Sequence, residues 1–467
     1  MARGKKKESA LTPEEKLAQA LVPDWNQPYK VPKNWSWVNL ESVASLHNGD
    51  RGVNYPSKKD YVEIGIPFIN AGAIQNNALD EAEFNYITEE KFESLRAGKI
   101  QKGDILYCLR GSLGKTAVVE NDTKGAISSS LCILRCNGAV LRKYFAYLLR
   151  ADVIYKQQEI AENGSAQPNL SAASVLKYML PIPPLAEQQR IVDRIEYLFA
   201  KLDEAKEKAQ SVLDSFETRK AAILHKAFTS ELTAKWRDEH GVEGNWITST
   251  VGSVCHEVKV GIVIKPSQYY TDEENGTPAF RSANVRENRI DDFDWVYLNH
   301  AGMESNKRSI VHTGDVLVVR SGNPGTACVV SEKFDGYNAI DILIAVPNQN
   351  MITSEFLCCY TNSPFGKNLV SENKRGMALA HFNVKGYSGL PIRVPTLEEQ
   401  REIVRILDSL FAKEQQAKEA AEAVLEKIDL LKKSILARAF RGELGTNDPT
   451  EESAMELLKT TLCSPTL

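Results

Sequence analysis

The chain is written twice. Leu180-Pro181-Ile182-Pro183 runs into Glu187-Gln188-Gln189-Arg190-Ile191-Val192, and a little over two hundred residues later Leu390-Pro391-Ile392 runs into Glu399-Gln400-Arg401-Glu402-Ile403-Val404. Leu198-Phe199-Ala200-Lys201, Ile223-Leu224, Ala227-Phe228 and Glu231-Leu232 follow the first copy. Leu410-Phe411-Ala412-Lys413, Ile435-Leu436, Ala439-Phe440 and Glu443-Leu444 follow the second at matching offsets. A chain repeated in this way folds as two related halves and can place them about a pseudo-twofold axis.

The segment after each proline-rich run has a helical period. Ile191, Ile195, Leu198, Leu202, Ala205, Ala209, Val212 and Phe216 step by four and three. Ile403, Leu407, Leu410, Glu414, Ala417, Ala421, Val424, Ile428, Leu431 and Ile435 do the same, with only Glu414 out of character. This is a heptad seam. A helix from Ala186 to Phe228 would be about 65 Å long at about 1.5 Å per residue. We expect the two helices to pair antiparallel as a coiled coil and to hold two domains a fixed distance apart. Ile223, Leu224, Ala227 and Phe228 extend the apolar surface beyond a two-helix seam, enough to dock another protein.

Before each helix lies a stretch with the texture of a mixed α/β (α+β) domain. Gly103-Asp104 precedes the apolar run Ile105-Leu106 as Gly314-Asp315 precedes Val316-Leu317, a turn before a strand. A helix over Arg142–Gln157 has its counterpart over Ser354–Asn362. The expected organisation is an N-terminal extension (1–31), a first domain (32–185), a first spacer helix (186–235), a second domain (243–396), a second spacer helix (397–444) and an acidic tail (445–467). Within the extension, Thr12-Pro13-Glu14-Glu15 reads as a helix start, with Leu17, Ala20 and Leu21 on its apolar face.

No apolar run reaches the length of a membrane span, and the basic start (Arg3, Lys5, Lys6, Lys7) is not followed by a signal-type apolar region. The eight cysteines show no zinc-type spacing and read as reduced thiols of a cytoplasmic protein. The net charge of −4 means that any DNA binding uses local patches or shares phosphate contacts with a more basic partner.

Two motifs tempt and fail. Gly111-Ser112-Leu113-Gly114-Lys115-Thr116 resembles the end of a phosphate-binding loop, but Leu109 stands where a glycine is needed, and the counterpart Gly322-Asn323-Pro324-Gly325-Thr326 has no lysine. Asn362-Ser363-Pro364-Phe365 resembles the adenine-methyltransferase tetrapeptide without its central proline, and reads as a helix stop. No metal or catalytic cluster stands out. What remains are loop side chains suited to base edges and phosphates: Arg110, Ser112, Lys115, Gln167 and Asn169 in the first half, and Arg281, Asn284, Arg320, Asn323, Lys374, Arg375, His381 and Asn383 in the second. Arginine pairs with guanine, and Asn or Gln with adenine, in the major groove. Two similar surfaces about a twofold axis suit two half-sites on DNA.

The Leu-Pro-Ile-Pro-Pro-Leu-x-Glu-Gln-x-x-Ile run entering a long helix, repeated after a second variable domain, resembles the specificity subunit of type I restriction–modification systems from about Pro32 to Leu444. The resemblance implies two target recognition domains, each reading one half of a split DNA sequence. It implies spacer helices that bind two modification subunits carrying S-adenosylmethionine, and two restriction subunits using ATP and Mg. It puts partner-binding candidates on the helices: Ile191, Leu198, Leu202, Ile223, Phe228, Ile403, Leu410, Ile435 and Phe440. The chain itself would hold no cofactor or metal and catalyse nothing. The competing readings are a single-chain DNA methyltransferase or nuclease, and a coiled-coil adaptor without DNA binding.

Overall fold

The repeated Glu-Gln pair closes each half. In the computed structural model, which describes residues 12–162, 168–368 and 383–463, Glu187, Gln188, Glu399 and Gln400 are all fully buried at the start of a long helix. Gln188 accepts from the Leu141 amide at 2.7 Å and donates to the carbonyls of Ala139 and Pro183, both at 3.0 Å. Gln400 repeats the pattern, accepting from Thr353 at 2.8 Å and donating to Met351 and Pro395, both at 2.9 Å. A buried amide that uses both its oxygen and its nitrogen in this way pins the helix to the domain before it.

The glutamates differ. Glu187 accepts from the Trp35 indole at 2.7 Å and from Asn447 at 2.8 Å, both neutral donors. Glu399 accepts from the Trp246 indole at 3.2 Å, the Thr233 hydroxyl at 2.7 Å and the Arg237 guanidinium at 2.5 Å. Burial pushes the Glu187 carboxyl above the usual carboxylate range in spite of the Asn447 and Trp35 hydrogen bonds. The folded chain therefore holds this proton more tightly than the unfolded one. Stability falls as pH rises from the ordinary carboxylate range through the raised value, and the loss is complete above it. Glu187→Gln should remove that slope; urea denaturation across a pH series checks it, and an unchanged slope would count against the assignment.

The chain divides into two compact units, one comprising everything before Ala209 together with Val424 onward, the other Ala209–Ala423. Each holds the same mixed α/β architecture. In the first, Ser36–Asn39 pairs antiparallel with Met179–Ile182. A central antiparallel sheet runs in the order Ala44–Asn48, Leu131–Cys136, Ile105–Cys108, Thr116–Val118. A smaller sheet runs Ala126–Ile127, Ile66–Ile69, Asn85–Ile87, Tyr61–Val62, its first pair parallel. The second unit repeats all three: Ile247–Thr250 with Pro391–Val394; Cys255–Val260, Ile342–Pro347, Val316–Val319, Ala327–Val329; and Tyr270–Thr271, Val296–Leu298, Thr277–Phe280, Asn338–Ala339. The Gly-Asp pairs do precede strands, and each aspartate closes its turn by accepting an amide, Asp104 from Gln101 and Asp315 from His312. The helix expected over Arg142–Gln157 is two, Arg142–Leu148 and Asp152–Ala161; its counterpart, Ser354–Asn362, is single.

The second long helix is unbroken over 43 residues, Leu397–Ala439. The first, expected to run from Ala186 to Phe228, is two helices, Leu185–Asp214 and Phe216–Phe228. At the break, the Ser215 hydroxyl shares the Ser211 carbonyl with the Ser215 amide, at 2.6 and 3.2 Å, and the Arg219 guanidinium donates to the Val212 carbonyl at 3.2 Å, so side chains compete with the helical ladder for its carbonyls. The same guanidinium pairs with Glu414 at 2.8 Å, which accounts for the one polar residue in the second seam. Antiparallel pairing is visible within the second unit, and the two helices also touch within the first. In the second, Lys418 lies over the Phe216 ring at 5.1 Å while Arg219 meets Glu414. In the first, Lys432 meets Asp203 at 2.6 Å and lies over Phe199 at 5.2 Å. The seam is not continuous: Val424 and Leu431 are 40% and 48% exposed.

The amino-terminal helix starts where the sequence placed it, and the carboxy-terminal segment departs from expectation. Thr12 and Glu15 form a reciprocal cap on Pro13–Ala20, and Leu17 and Ala20 are buried. The segment after Gly445 is no tail, however. Its helix Ala454–Cys463 packs beside Pro13–Ala20, with Ala454 and Leu458 fully buried. Glu451 pairs with both terminal nitrogens of Arg190 at 2.8 Å. The acids of this segment face cations and solvent, while its apolar face completes the first core. No described helix is long and apolar enough to cross a membrane.

Candidate nucleic-acid interface

In each unit three connections leave the same end of the central sheet. In the first, the strand Ala44–Asn48 exits at Gly49, Ile105–Cys108 turns back through Arg110–Lys115 into Thr116–Val118, and Leu131–Cys136 is entered through Ser128-Ser129-Ser130. The turn Arg110–Lys115 is a strand-to-strand connection with glycines at φ +80° (Gly111) and +74° (Gly114), and the second unit has +81° (Gly322) and +86° (Gly325) at matching places. Glycine is there for the left-handed backbone, and no helix N-terminus follows to hold a phosphate.

The structure brings Arg110 and Asn169 together from distant parts of the sequence. Their backbones form an isolated bridge and the Arg110 Nε donates to the Asn169 side-chain oxygen at 3.2 Å. The buried Cys108 thiol donates to the Arg110 carbonyl at 3.0 Å, and burial pushes that thiol up, so it remains a donor. Arg110 and Ser112 are exposed and Lys115 and Asn169 half-buried on this one surface. Gln167, Lys374, Arg375 and His381 lie outside the described residues.

The second unit fills this end of its sheet differently, and four candidates there have structural duties. Arg320 pairs with Asp341 at 2.7 Å, and its side chain is only 15% exposed. Arg281 binds the carbonyl and carboxylate of Asp294 at 2.6 and 2.8 Å. Asn284 is fully buried, accepting from the Arg281 amide and donating to the Asp291 and Phe293 carbonyls. Asn383 caps the helix Val384–Ser388 through the Gly386 amide at 2.8 Å. These side chains satisfy this chain's own backbone and acids; Asn284 is buried away from any base, and the other three would give up these bonds to reach DNA. Asn323 stays exposed on its turn. Asn362 is likewise structural, bonded to both the amide and the carbonyl of Ala327.

The partner-binding assignment needs a correction. Ile191, Phe228, Ile403 and Phe440 are buried in this chain's own cores, as are Leu224 and Ala227, so the expected docking cluster at Ile223–Phe228 is internal. Ile223 and Ile435 pack against those cores. Leu198, Leu202 and Leu410 are half-buried.

Sequence reasoning missed the exit loops. A side chain at Gly49 would place its Cβ 2.8 Å from the Ser128 carbonyl oxygen, and one at Gly261 would fall 2.2 Å from that of Ala339. Both loops can cross the sheet end only through glycine, and the Gly49/Gly261 match was the available signal. After Gly49 come Asp50 and Arg51. The amides of Arg96, Arg51 and Ala97 outweigh a burial penalty and hold the Asp50 carboxyl below its usual range. The Arg51 and Arg96 side chains are exposed and line one groove with Asn48 and Lys99.

A family model described as "Type I restriction modification DNA specificity domain" matches residues 32–213 and again 243–427. The chain is 25% identical over 434 residues to the type I restriction enzyme EcoKI specificity subunit of Escherichia coli strain K12, covering 89% of this chain and 90% of that protein. It is also 25% identical to the StySPI specificity subunit of Salmonella potsdam, again over 89% and 90%. Among solved structures, the HsdS subunit from Thermoanaerobacter tengcongensis superposes with a TM-score of 0.64 at 22% identity, over 89% of this chain and 99% of that one. That last likeness shares the fold.

Proposed function

This chain belongs to the type I restriction–modification DNA specificity family, and from that membership we infer that it is the DNA-reading subunit of such a complex, each half reading one part of a bipartite target. The observation that carries the reading is the pair of equivalent sheet ends. One framework of strands, turns and buried Glu-Gln pairs is repeated, while the side chains at its exposed end differ: Arg110 with Asn169 in one half, Arg320 locked to Asp341 with Asn323 beside it in the other. A repeated framework with divergent tips suits two unlike half-sites.

We propose further that two modification subunits, carrying S-adenosylmethionine, assemble on the chain, that two restriction subunits using ATP and Mg complete the nuclease, and that it works in the cytoplasm beside the genome it reads. In this reading the chain performs no catalytic step. The turn geometry at Lys115 and the structural bonding of Asn362 support that, since each tempting motif has another duty.

The test is exchange of residues 245–395 for the equivalent domain of a related protein, with methylation mapped in cells that contain the modification subunits. One half of the methylated sequence should change and the other stay. A target altered in both halves would refute independent reading. At residue level, Arg110→Ala should weaken target binding by about 1–3 kcal/mol and relax specificity in one half only. Equal loss on all sequences, with a smaller salt dependence, would place Arg110 on phosphate instead.

A further inference from the structure

Both halves leave a branched apolar side chain standing in water on the loop that leaves the central sheet. In the first unit it is Val53, 95% exposed; in the second it is Ile264, 76% exposed. A single exposed apolar residue means little by itself. Here it recurs on equivalent loops, Gly49–Pro56 and Gly261–Pro266, whose sequences otherwise share little. Each has a cation close by: Arg51 two residues before Val53, and Lys265 directly after Ile264, both exposed. Lys265 is held at φ +42°, a backbone conformation that costs a residue with a Cβ and that clusters at functional sites.

The surroundings favour an anionic, partly apolar ligand. Asp50 keeps its charge but is turned onto the Arg51 and Arg96 amides, at 2.8 and 2.6 Å, and Asp341 is paired with Arg320, which leaves the exposed Arg51 and Lys265 side chains as the cations these loops present. The loops leave the same sheet end as the turns bearing Arg110 and Asn323. The thymine 5-methyl is the apolar group on a base edge in the major groove, and small branched side chains suit it.

We propose that these loops are base-contacting elements, with Val53 and Ile264 each seated on a thymine methyl and Arg51 and Lys265 on neighbouring phosphates. This rests on the DNA-reading function and names residues for it that neither the motif nor the repeat singled out.

The experiment uses the complex assembled with its modification subunits and a duplex bearing the target found by methylation mapping. Each thymine is replaced in turn by deoxyuridine, which removes only the methyl. One replacement in each half should weaken binding about fourfold, the worth of one buried methyl group. Val53→Ala should abolish that sensitivity in one half and Ile264→Ala in the other. Arg51→Ala and Lys265→Ala should weaken binding on all sequences and lower the salt slope by about one. A flat uracil scan on a duplex still bound specifically would overturn the proposal and leave the DNA-reading function standing. So would variants that bind every duplex as the parent does, or that lose modification subunits instead of DNA. A complex that cannot tell target from scrambled duplex would overturn the function itself.

Discussion

Glu399→Ala should destabilise the second unit by about 3–5 kcal/mol, the usual cost of removing one partner from a buried ion pair. The Arg237 side chain is only 12% exposed, and its charge would be left facing the Thr233 hydroxyl and the Ser230 carbonyl. The Trp246 indole would lose its acceptor as well. Against a total of about 5–15 kcal/mol for a domain, that is a large share. Glu187→Ala, which strands only neutral donors, should cost the first unit less, about 1–3 kcal/mol. Urea denaturation of the two variants, followed by tryptophan fluorescence, gives the comparison. A Glu187→Ala loss equal to or above that of Glu399→Ala would show that the ion pair is not what makes the second junction tight.

Phe440→Ala should cost the first unit about 3–5 kcal/mol with no other protein present. The ring is fully buried, edge-on to Tyr144 at 5.3 Å, and the residue's carbonyl accepts from the Tyr29 hydroxyl at 3.0 Å. A side chain reserved for a partner would show its loss only on assembly. Thermal unfolding of the chain alone separates the two roles, and an unchanged midpoint would return Phe440 to the partner interface. Leu198→Ala, at a half-buried position, should move the midpoint much less.

The long helices could be read from the sequence because their period persists over many turns and occurs twice. The Glu-Gln pairs were visible as a repeat before their hydrogen bonds gave the reason for it. The break at Ser215 was hidden because the heptad pattern runs through it; what opens the ladder is a side-chain reach from Arg219. Residue type alone could not decide among the DNA candidates. The hydrogen-bonding groups that suit arginine and asparagine to base edges also suit them to carboxylates and backbone. The deciding partners, Asp341 for Arg320 and Asp294 for Arg281, lie 21 and 13 residues away in sequence. Phe228 and Phe440 were misassigned for a related reason: periodicity marks a side chain as buried without saying against what. The acidic count after Gly445 masked the short apolar face of Ala454 and Leu458.

The two units differ in when they can be finished. Residues 209–423 hold the whole of the second unit, whereas the first, begun earlier, needs Leu436, Phe440, Asn447 and Leu458 from the far end. A ribosome adds about 5–20 residues per second, so the half translated first must wait, on the order of tens of seconds, for the last stretch of its own core. During that interval Tyr144 and its neighbours lack the part of their cover that Leu436, Phe440 and Leu458 supply. Nascent chains of this protein should therefore engage chaperones through the amino-terminal half, and a released chain ended after Ala423 should hold a folded second unit and an unfinished first one.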